Sequence, residues 1–241
     1  MKRILAIGDI HGGLRALRQV LERAEVTAED TLIFLGDYVD GWSQSAQVID
    51  FLMELETRQP CLFMKGNHDL WCEGWLEGGL VSHQWLNHGG SSTARSYQTI
   101  DAQTRLEHLK FFNRMKPYHI DAKNRLFVHA GFTSIYGPEH EHDESNFSWD
   151  RTLWETALSI DKNLDPSLFP RRLKLFREIF IGHTPTLNYN EYIPMNQWNV
   201  WNLDTGAAFH GRLTLMDVDT KEFWQSDILQ NLYPDEKGRN R

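Results

Sequence analysis

Five short apolar runs in this sequence each end in a cluster of glycine and polar residues, and this repetition constrains the fold more than any other feature. The clusters read GDIHG at 8–12, GDYVD at 36–40, GNHD at 66–69, HAG at 129–131 and GHTP at 182–185. Apolar runs that end at a glycine are typical of buried strands. Because the strands of an open α/β sheet bring their carboxyl ends to one crevice, the polar side chains can meet there. The sequence therefore predicts one site formed by Asp9, His11, Asp37, Asp40, Asn67, His68, His129 and His183.

The first 70 residues alternate between strand and helix patterns. Strands are predicted at 3–8, 31–36 and 61–66, and helical spacing of apolar residues follows Leu14 and Ser43. The order βαβαβ predicts a parallel sheet with right-handed crossovers.

The residue pattern after position 70 predicts a helical insertion followed by further strands. Residues 70–118 are mostly helical and aromatic in pattern, and Trp71, Trp75 and Trp85 are expected to pack within this layer. Further strands are predicted at 126–130, 179–182, 200–203, 212–218 and 222–225. We expect one domain over 1–235 with an insertion at about 70–118, and a frayed, charged tail at 236–241.

Charge and hydropathy narrow the range of partners. The 33 acidic and 25 basic residues give a formal net charge of −8, which argues against binding of nucleic acid. The apolar runs are far shorter than the roughly 18 residues of a membrane-spanning helix, so no membrane partner is expected. The apolar run before Gly8 is too short for a secretory signal, which makes the cytoplasm the expected location.

The chemistry of the predicted site favours metal binding. Two carboxylates, an amide oxygen and at least three imidazoles form a mixed nitrogen and oxygen donor set, which suits manganese, iron or zinc better than magnesium or calcium. A carboxylate shared by two ions, for which Asp37 is the candidate, would hold them roughly 3.5–4 Å apart, as in sites of in-line displacement at phosphorus. Two divalent ions would leave this site with a small positive charge that attracts a phosphate anion.

In this order the five motifs resemble those of the calcineurin-like metallophosphoesterases, and most of all the bacterial and phage serine/threonine phosphoprotein phosphatases and their relatives that hydrolyse diadenosine tetraphosphate. The resemblance covers roughly residues 3–70 and 126–218. It implies an α/β fold, an αββα sandwich in which two mixed sheets are flanked by helices. It also implies that Asp9 and His11 bind one metal and that Asp37 bridges two. Asn67, His129 and His183 would bind the second metal, and His68, oriented by Asp40, would be the general acid.

This resemblance favours a dinuclear phosphoprotein phosphatase that uses two divalent ions, manganese first and iron or zinc as alternatives, with a metal-bridging hydroxide as nucleophile. Its substrate would be a phosphorylated protein or a small phosphoester. Two alternatives stay open. One is hydrolysis of a dinucleoside polyphosphate, which the same metal centre could perform, and the other is a metal-binding scaffold without catalysis. The sequence does not define the oligomeric state.

One motif departs from the phosphoprotein phosphatase pattern. These enzymes usually read GDxVDRG, in which the arginine binds phosphate oxygens, whereas this chain has Gly41 and Trp42 after Asp40. A guanidinium–phosphate contact is a strong charge-assisted interaction, so we expect another arginine to replace it. Arg151, downstream of His129, is the first candidate and Arg95 the second.

Overall fold

The computed structural model describes residues 2–240, and ten strands within them form two sheets of five strands. In chain order the strands are β1 (Ile4–Ile7), β2 (Thr31–Phe34), β3 (Cys61–Phe63), β4 (Tyr118–Ile120), β5 (Arg125–Val128), β6 (Glu178–Ile181), β7 (Met195–Gln197), β8 (Val200–Asn202), β9 (Thr214–Asp217) and β10 (Phe223–Gln225).

The first sheet has the strand order β10-β9-β1-β2-β3. β1, β2 and β3 are parallel, with Leu5 opposite Leu32 and Ile33 opposite Leu62, which confirms the predicted arrangement of the first 70 residues. β9 runs antiparallel to both β1 and β10, so the C-terminal hairpin completes the sheet that the N-terminus begins.

The second sheet has the order β4-β5-β6-β8-β7 and is also mixed. Its central strands β5, β6 and β8 are parallel, while β4 and β7 pair antiparallel at the two edges. The sequence pattern predicts the central strands and misses both edge strands. Each edge strand has only three residues, all of them partly exposed, so neither contains a buried apolar run.

The helices flank the sheets. They are α1 (Leu14–Arg23), α2 (Ser45–Glu56), α3 (Asn67–Leu76), α4 (His83–Trp85), α5 (Ser91–Ser96), α6 (Ala102–Asn113), α7 (Asn146–Trp149), α8 (Thr152–Leu158) and α9 (Leu229–Leu232). α3 to α6 occupy most of the region predicted as a helical insertion, although α3 begins inside the third motif, at Asn67. Across residues 2–240, no helix has the length and apolar character to cross a membrane.

Alternation along the strands divides the core into three layers. In β1, Leu5 and Ile7 pack against α1 and α2, whereas Ala6 faces the second sheet. In β5, Phe127 likewise faces the first sheet, and its neighbours pack toward α8. Period-two alternation therefore gives each sheet one face for helices and one for the other sheet, and the αββα sandwich is confirmed.

The C-terminal residues lie against the domain. Over 236–240 the structure differs from the predicted frayed end, because Glu236 accepts hydrogen bonds from Ser43 and the amide of Arg239 donates to the carbonyl of Ala208 at 2.8 Å. Residue 241 lies outside the described residues.

We predict that Phe180→Ala destabilises the protein by about 3–5 kcal/mol, since removing a large ring from a closed core leaves a cavity. Phe180 is fully buried between the sheets and stacks on Phe127 with a centroid distance of 5.0 Å. Urea unfolding would measure the loss. Phe223→Ala is the matched control, because this ring is 38% exposed and its removal should cost less than about 1 kcal/mol. Equal losses in the two variants would contradict the layered core.

Candidate active site

Left-handed turns at the carboxyl ends of the strands aim the site residues into one crevice. His11, Asp37, Asp40 and His183 have φ values of 52°, 55°, 68° and 67°. This conformation is unfavourable for residues with a β-carbon and costs of order 1–3 kcal/mol each. The side chains converge because the turns after β1, β2 and β6 all bend in this way.

Two glycines make room for the carboxylates. A β-carbon at Gly66 would collide with Oδ1 of Asp37, and one at Gly182 would collide with Oδ1 of Asp9. Each carboxylate thus lies directly against the backbone of another motif. His183 donates its amide proton to Asp9 at 3.1 Å, and His68 donates its own to Asp37 at 3.0 Å.

Asp37 lies between two groups of donor atoms. Its Oδ2 is 3.6 Å from Nε2 of His11, and its Oδ1 is 3.5 Å from Nε2 of His129. Asp9 joins the first group, with Oδ2 at 3.8 Å from Nε2 of His11. Asn67 joins the second, with Oδ1 at 3.2 Å from His129 Nε2 and 2.9 Å from His183 Nδ1.

Backbone carbonyls fix which histidine nitrogens are free. Nδ1 of His11 donates to the carbonyl of Asp40 at 2.8 Å, and Nδ1 of His129 donates to the carbonyl of Leu35 at 2.8 Å. Because these nitrogens carry the protons, Nε2 of each ring has a free lone pair facing Asp37.

Several buried carboxylates lie close together in this site, and their negative charges repel one another unless cations are bound. Burial raises the pKa of Asp37 to about 7, and burial together with the nearby Asp204 and Asp37 raises the pKa of Asp9 well above its usual range. Within residues 2–240, no Lys or Arg forms an ion pair with either carboxylate. Burial lowers the pKa of His129 to about 4, so this imidazole is neutral. Two groups of neutral imidazoles around a shared carboxylate fit two divalent cations.

His68 and Asp40 form a buried pair beside these groups. Nδ1 of His68 donates to Oδ2 of Asp40 at 2.7 Å, which leaves Nε2 for other contacts. Asp40 in turn accepts hydrogen bonds from Nε1 of Trp85 at 2.7 Å and from Oγ1 of Thr93 at 2.6 Å. Burial raises the pKa of Asp40 to about 7, and these two donors oppose that rise. Trp85 packs against Trp75, as the sequence predicts. It also stabilises the charged form of Asp40, which the sequence does not predict.

The cleft above these residues has an aromatic and basic rim. Trp71 contacts His68, with ring centroids 5.1 Å apart, and Trp149 contacts Trp71 at 5.0 Å. A cavity of about 260 Å³ contains this rim together with Arg151 and Arg239. The sequence predicts that Trp71 packs within the helical layer, whereas in the structure its ring lines the cleft.

The structure brings the eight predicted metal and catalytic residues into this single crevice. The role of each residue stays a prediction. Arg151 is exposed at the rim, whereas Arg95 lines only an adjoining outer cavity. Sequence reasoning missed three contributors, Asp69, Asp204 and Arg239. Asp69 accepts the amides of Asp37 and Tyr38 at 2.8 and 2.9 Å, and its position within the GNHD motif was the available signal.

Comparison with known proteins shows similarity in sequence and in fold to phosphoester hydrolases. Two curated relatives are asymmetrical bis(5'-nucleosyl)-tetraphosphatases PrpE. That of Anoxybacillus flavithermus is 26% identical over 87% of this chain and 88% of its own, and that of Oceanobacillus iheyensis is 25% identical over 92% and 90%. A Saccharomyces cerevisiae serine/threonine phosphatase has the same fold, with a TM-score of 0.66, 14% identity and coverage of 100% of this chain and 84% of its own. The sequence profile of the calcineurin-like phosphoesterases matches residues 2–211. The chain therefore belongs to the calcineurin-like phosphoesterase family.

Proposed function

We propose that this protein is a dinuclear metal-dependent hydrolase of dinucleoside polyphosphates. The observation that carries the proposal is a second cavity, of about 740 Å³, which adjoins the one over the candidate metal site. The two cavities share His88, Arg151, Phe209 and Arg239 in their walls. A single phosphoryl group needs only the inner cavity, so the outer cavity has room for a substrate that extends beyond it.

The charge of the outer cavity supports a substrate with several phosphates. Arg95, Arg151 and Arg239 line it, and no carboxylate does among residues 2–240. The whole chain carries a net charge of −8, so this concentration of arginine is local. A guanidinium group can bind two phosphate oxygens at once, so three of them in one cavity suit a substrate with several phosphates.

The curated relatives support the same substrate class. The resemblance of the motifs alone favours a phosphoprotein substrate, whereas the two relatives compared above bear the name of tetraphosphatases. The similarity to the yeast phosphatase is a similarity of fold and carries no argument about substrate. We therefore place dinucleoside polyphosphates ahead of phosphoproteins.

We assign the metal ligands by their positions. Asp9, His11 and Asp37 would hold one cation, and Asp37, Asn67, His129 and His183 would hold the other. When bound, two such cations polarise phosphoryl oxygens and lower the pKa of water. The nitrogen-rich donor set favours manganese, iron or zinc.

His68 would supply the proton for the leaving oxygen. Its Nε2 is free because Nδ1 is held by Asp40. Burial, reinforced by the charge of Arg239, lowers the pKa of His68 well below its usual range. A bound phosphate is anionic and opposes this effect, so protonation of His68 is favoured in the complex with substrate.

The first test compares substrates. With manganese present, we expect kcat/KM for diadenosine tetraphosphate to exceed that for a phosphoserine peptide at least about tenfold, because its additional phosphates reach the arginines of the outer cavity, including Arg95. Chromatography of the nucleotide products and a phosphate assay would measure the rates.

One variant sharpens this comparison. Arg95→Gln should raise KM for the dinucleotide and leave p-nitrophenyl phosphate hydrolysis unchanged, since Arg95 lines only the outer cavity. Faster hydrolysis of the phosphopeptide would favour the phosphoprotein phosphatase instead.

The second prediction concerns Asp37→Asn. A shared ligand needs full negative charge, so we expect this variant to bind at least one manganese ion fewer than the wild type and to lose activity. Elemental analysis of the loaded protein measures the metal content. Asp235→Asn, an exposed substitution of the same kind, should retain both ions. Full metal content in Asp37→Asn would contradict the shared position.

The third prediction concerns Trp85→Phe, which removes the hydrogen bond to Asp40 and keeps an aromatic ring. We expect kcat to fall roughly tenfold for an alkyl phosphate, the effect of one hydrogen bond to a charged group. The fall should be smaller for p-nitrophenyl phosphate, whose leaving group needs no proton.

Trp75→Phe is the control, because Trp75 packs on Trp85 without contacting Asp40. Equal effects of Trp85→Phe on the two substrates would show that Trp85 acts only through packing.

A further inference from the structure

The second motif lacks the arginine of the phosphoprotein phosphatases, and the structure shows why it cannot simply be carried there. Gly41 has a φ of 133°, a conformation that residues with a β-carbon rarely adopt. A β-carbon at this position would lie 3.0 Å from the carbonyl oxygen of His11 and 3.7 Å from Cγ of Arg239. The side chain of Arg239 therefore lies within contact distance of the position where the motif arginine would begin.

The C-terminal segment 233–240 docks on the residues that follow Gly41. Tyr233 stacks on Trp42 with a centroid distance of 5.2 Å, and the carboxylate of Glu236 accepts hydrogen bonds from the amide and hydroxyl of Ser43 at 2.9 and 2.7 Å. A β-carbon at Gly238 would lie 2.7 Å from the Trp42 indole, so the segment passes directly over that ring. These contacts hold segment 233–240 against the residues that follow the second motif.

Arg239 points from this segment into the cleft. Its guanidinium lies over the ring of Phe209 at 5.2 Å, and its side chain lines the inner cavity together with His11, Asp37 and His68. It also lines the outer cavity. Within residues 2–240 it forms no ion pair with a carboxylate, so the charge is available to an anion in the cleft.

We propose that Arg239 binds the phosphate group of the substrate, in place of the arginine that the second motif lacks. The identity of the substrate that carries this phosphate rests on the proposed function. Arg239 and Arg151 both line the inner cavity, whereas Arg95 lines only the outer one. Arg239 is favoured over Arg151 because it is partly buried and held by the docked segment, while Arg151 is exposed. The guanidinium of Arg239, late in the sequence, thus takes the place of the arginine that follows the second strand in GDxVDRG motifs.

The test measures binding of inorganic phosphate to the manganese-loaded protein by titration calorimetry, without turnover. Arg239→Gln should weaken phosphate binding roughly 10- to 100-fold, as expected for the loss of charge-assisted hydrogen bonds. Both manganese ions should remain bound. Arg239→Lys, which keeps the charge without the planar fork, should bind with intermediate affinity.

Lys237→Gln is the matched control. It removes the same charge from the same segment, but Lys237 is exposed and lines neither cavity, so phosphate affinity should change less than about twofold. Unchanged affinity in Arg239→Gln, or no phosphate binding by the wild-type protein, overturns the proposal. If diadenosine tetraphosphate is not hydrolysed while Arg239→Gln still weakens phosphate binding, the proposed function fails and this inference stands.

Discussion

Asp9 and Asp37 lie at the base of the cleft, next to Asp204, and each of these three carboxylates is at most 2% exposed. The cost of burying like charges at such short range is large unless cations compensate for it. In residues 2–240, no Lys or Arg forms an ion pair with Asp9 or Asp37, and imidazoles and backbone amides are among their nearest partners. The five motifs therefore form an arrangement whose electrostatics are favourable only with bound metal, and the rest of the fold serves to hold it.

The rigid sandwich offsets the strain of that arrangement. Four site residues adopt left-handed backbone, and this conformation persists only where the surroundings determine it fully. The surroundings here are two sheets packed through Phe127 and Phe180, with helices on both outer faces. Asp37 and Asn67 follow strands of the first sheet, whereas His129 and His183 follow strands of the second. A shift of one sheet against the other would therefore separate the donors of the second group. Packing between the sheets is thus linked to the geometry of the site.

The sequence predicts the parts of this site that local motifs encode. Asp9, Asp37 and His183 each follow a buried strand, and the convergence of strand ends is a general property of α/β sheets. The role of Trp85 could not be predicted in this way. A tryptophan offers both a large ring for packing and one N–H donor, and only the tertiary structure shows that the donor reaches Asp40. The edge strands β4 and β7 were missed because they are short and partly exposed.

Arg239 shows the same limit at the end of the chain. A charged C-terminal segment is typically frayed, and nothing in residues 236–240 indicates a docking site. The information lies in Trp42 and Ser43, nearly 200 residues earlier, which hold Tyr233 and Glu236. Gly41 completes this arrangement, since a β-carbon there would crowd the carbonyl oxygen of His11 at 3.0 Å and touch Cγ of Arg239 at 3.7 Å. Contacts distant in sequence thus bring a guanidinium to the cleft beside the motif that has no arginine of its own.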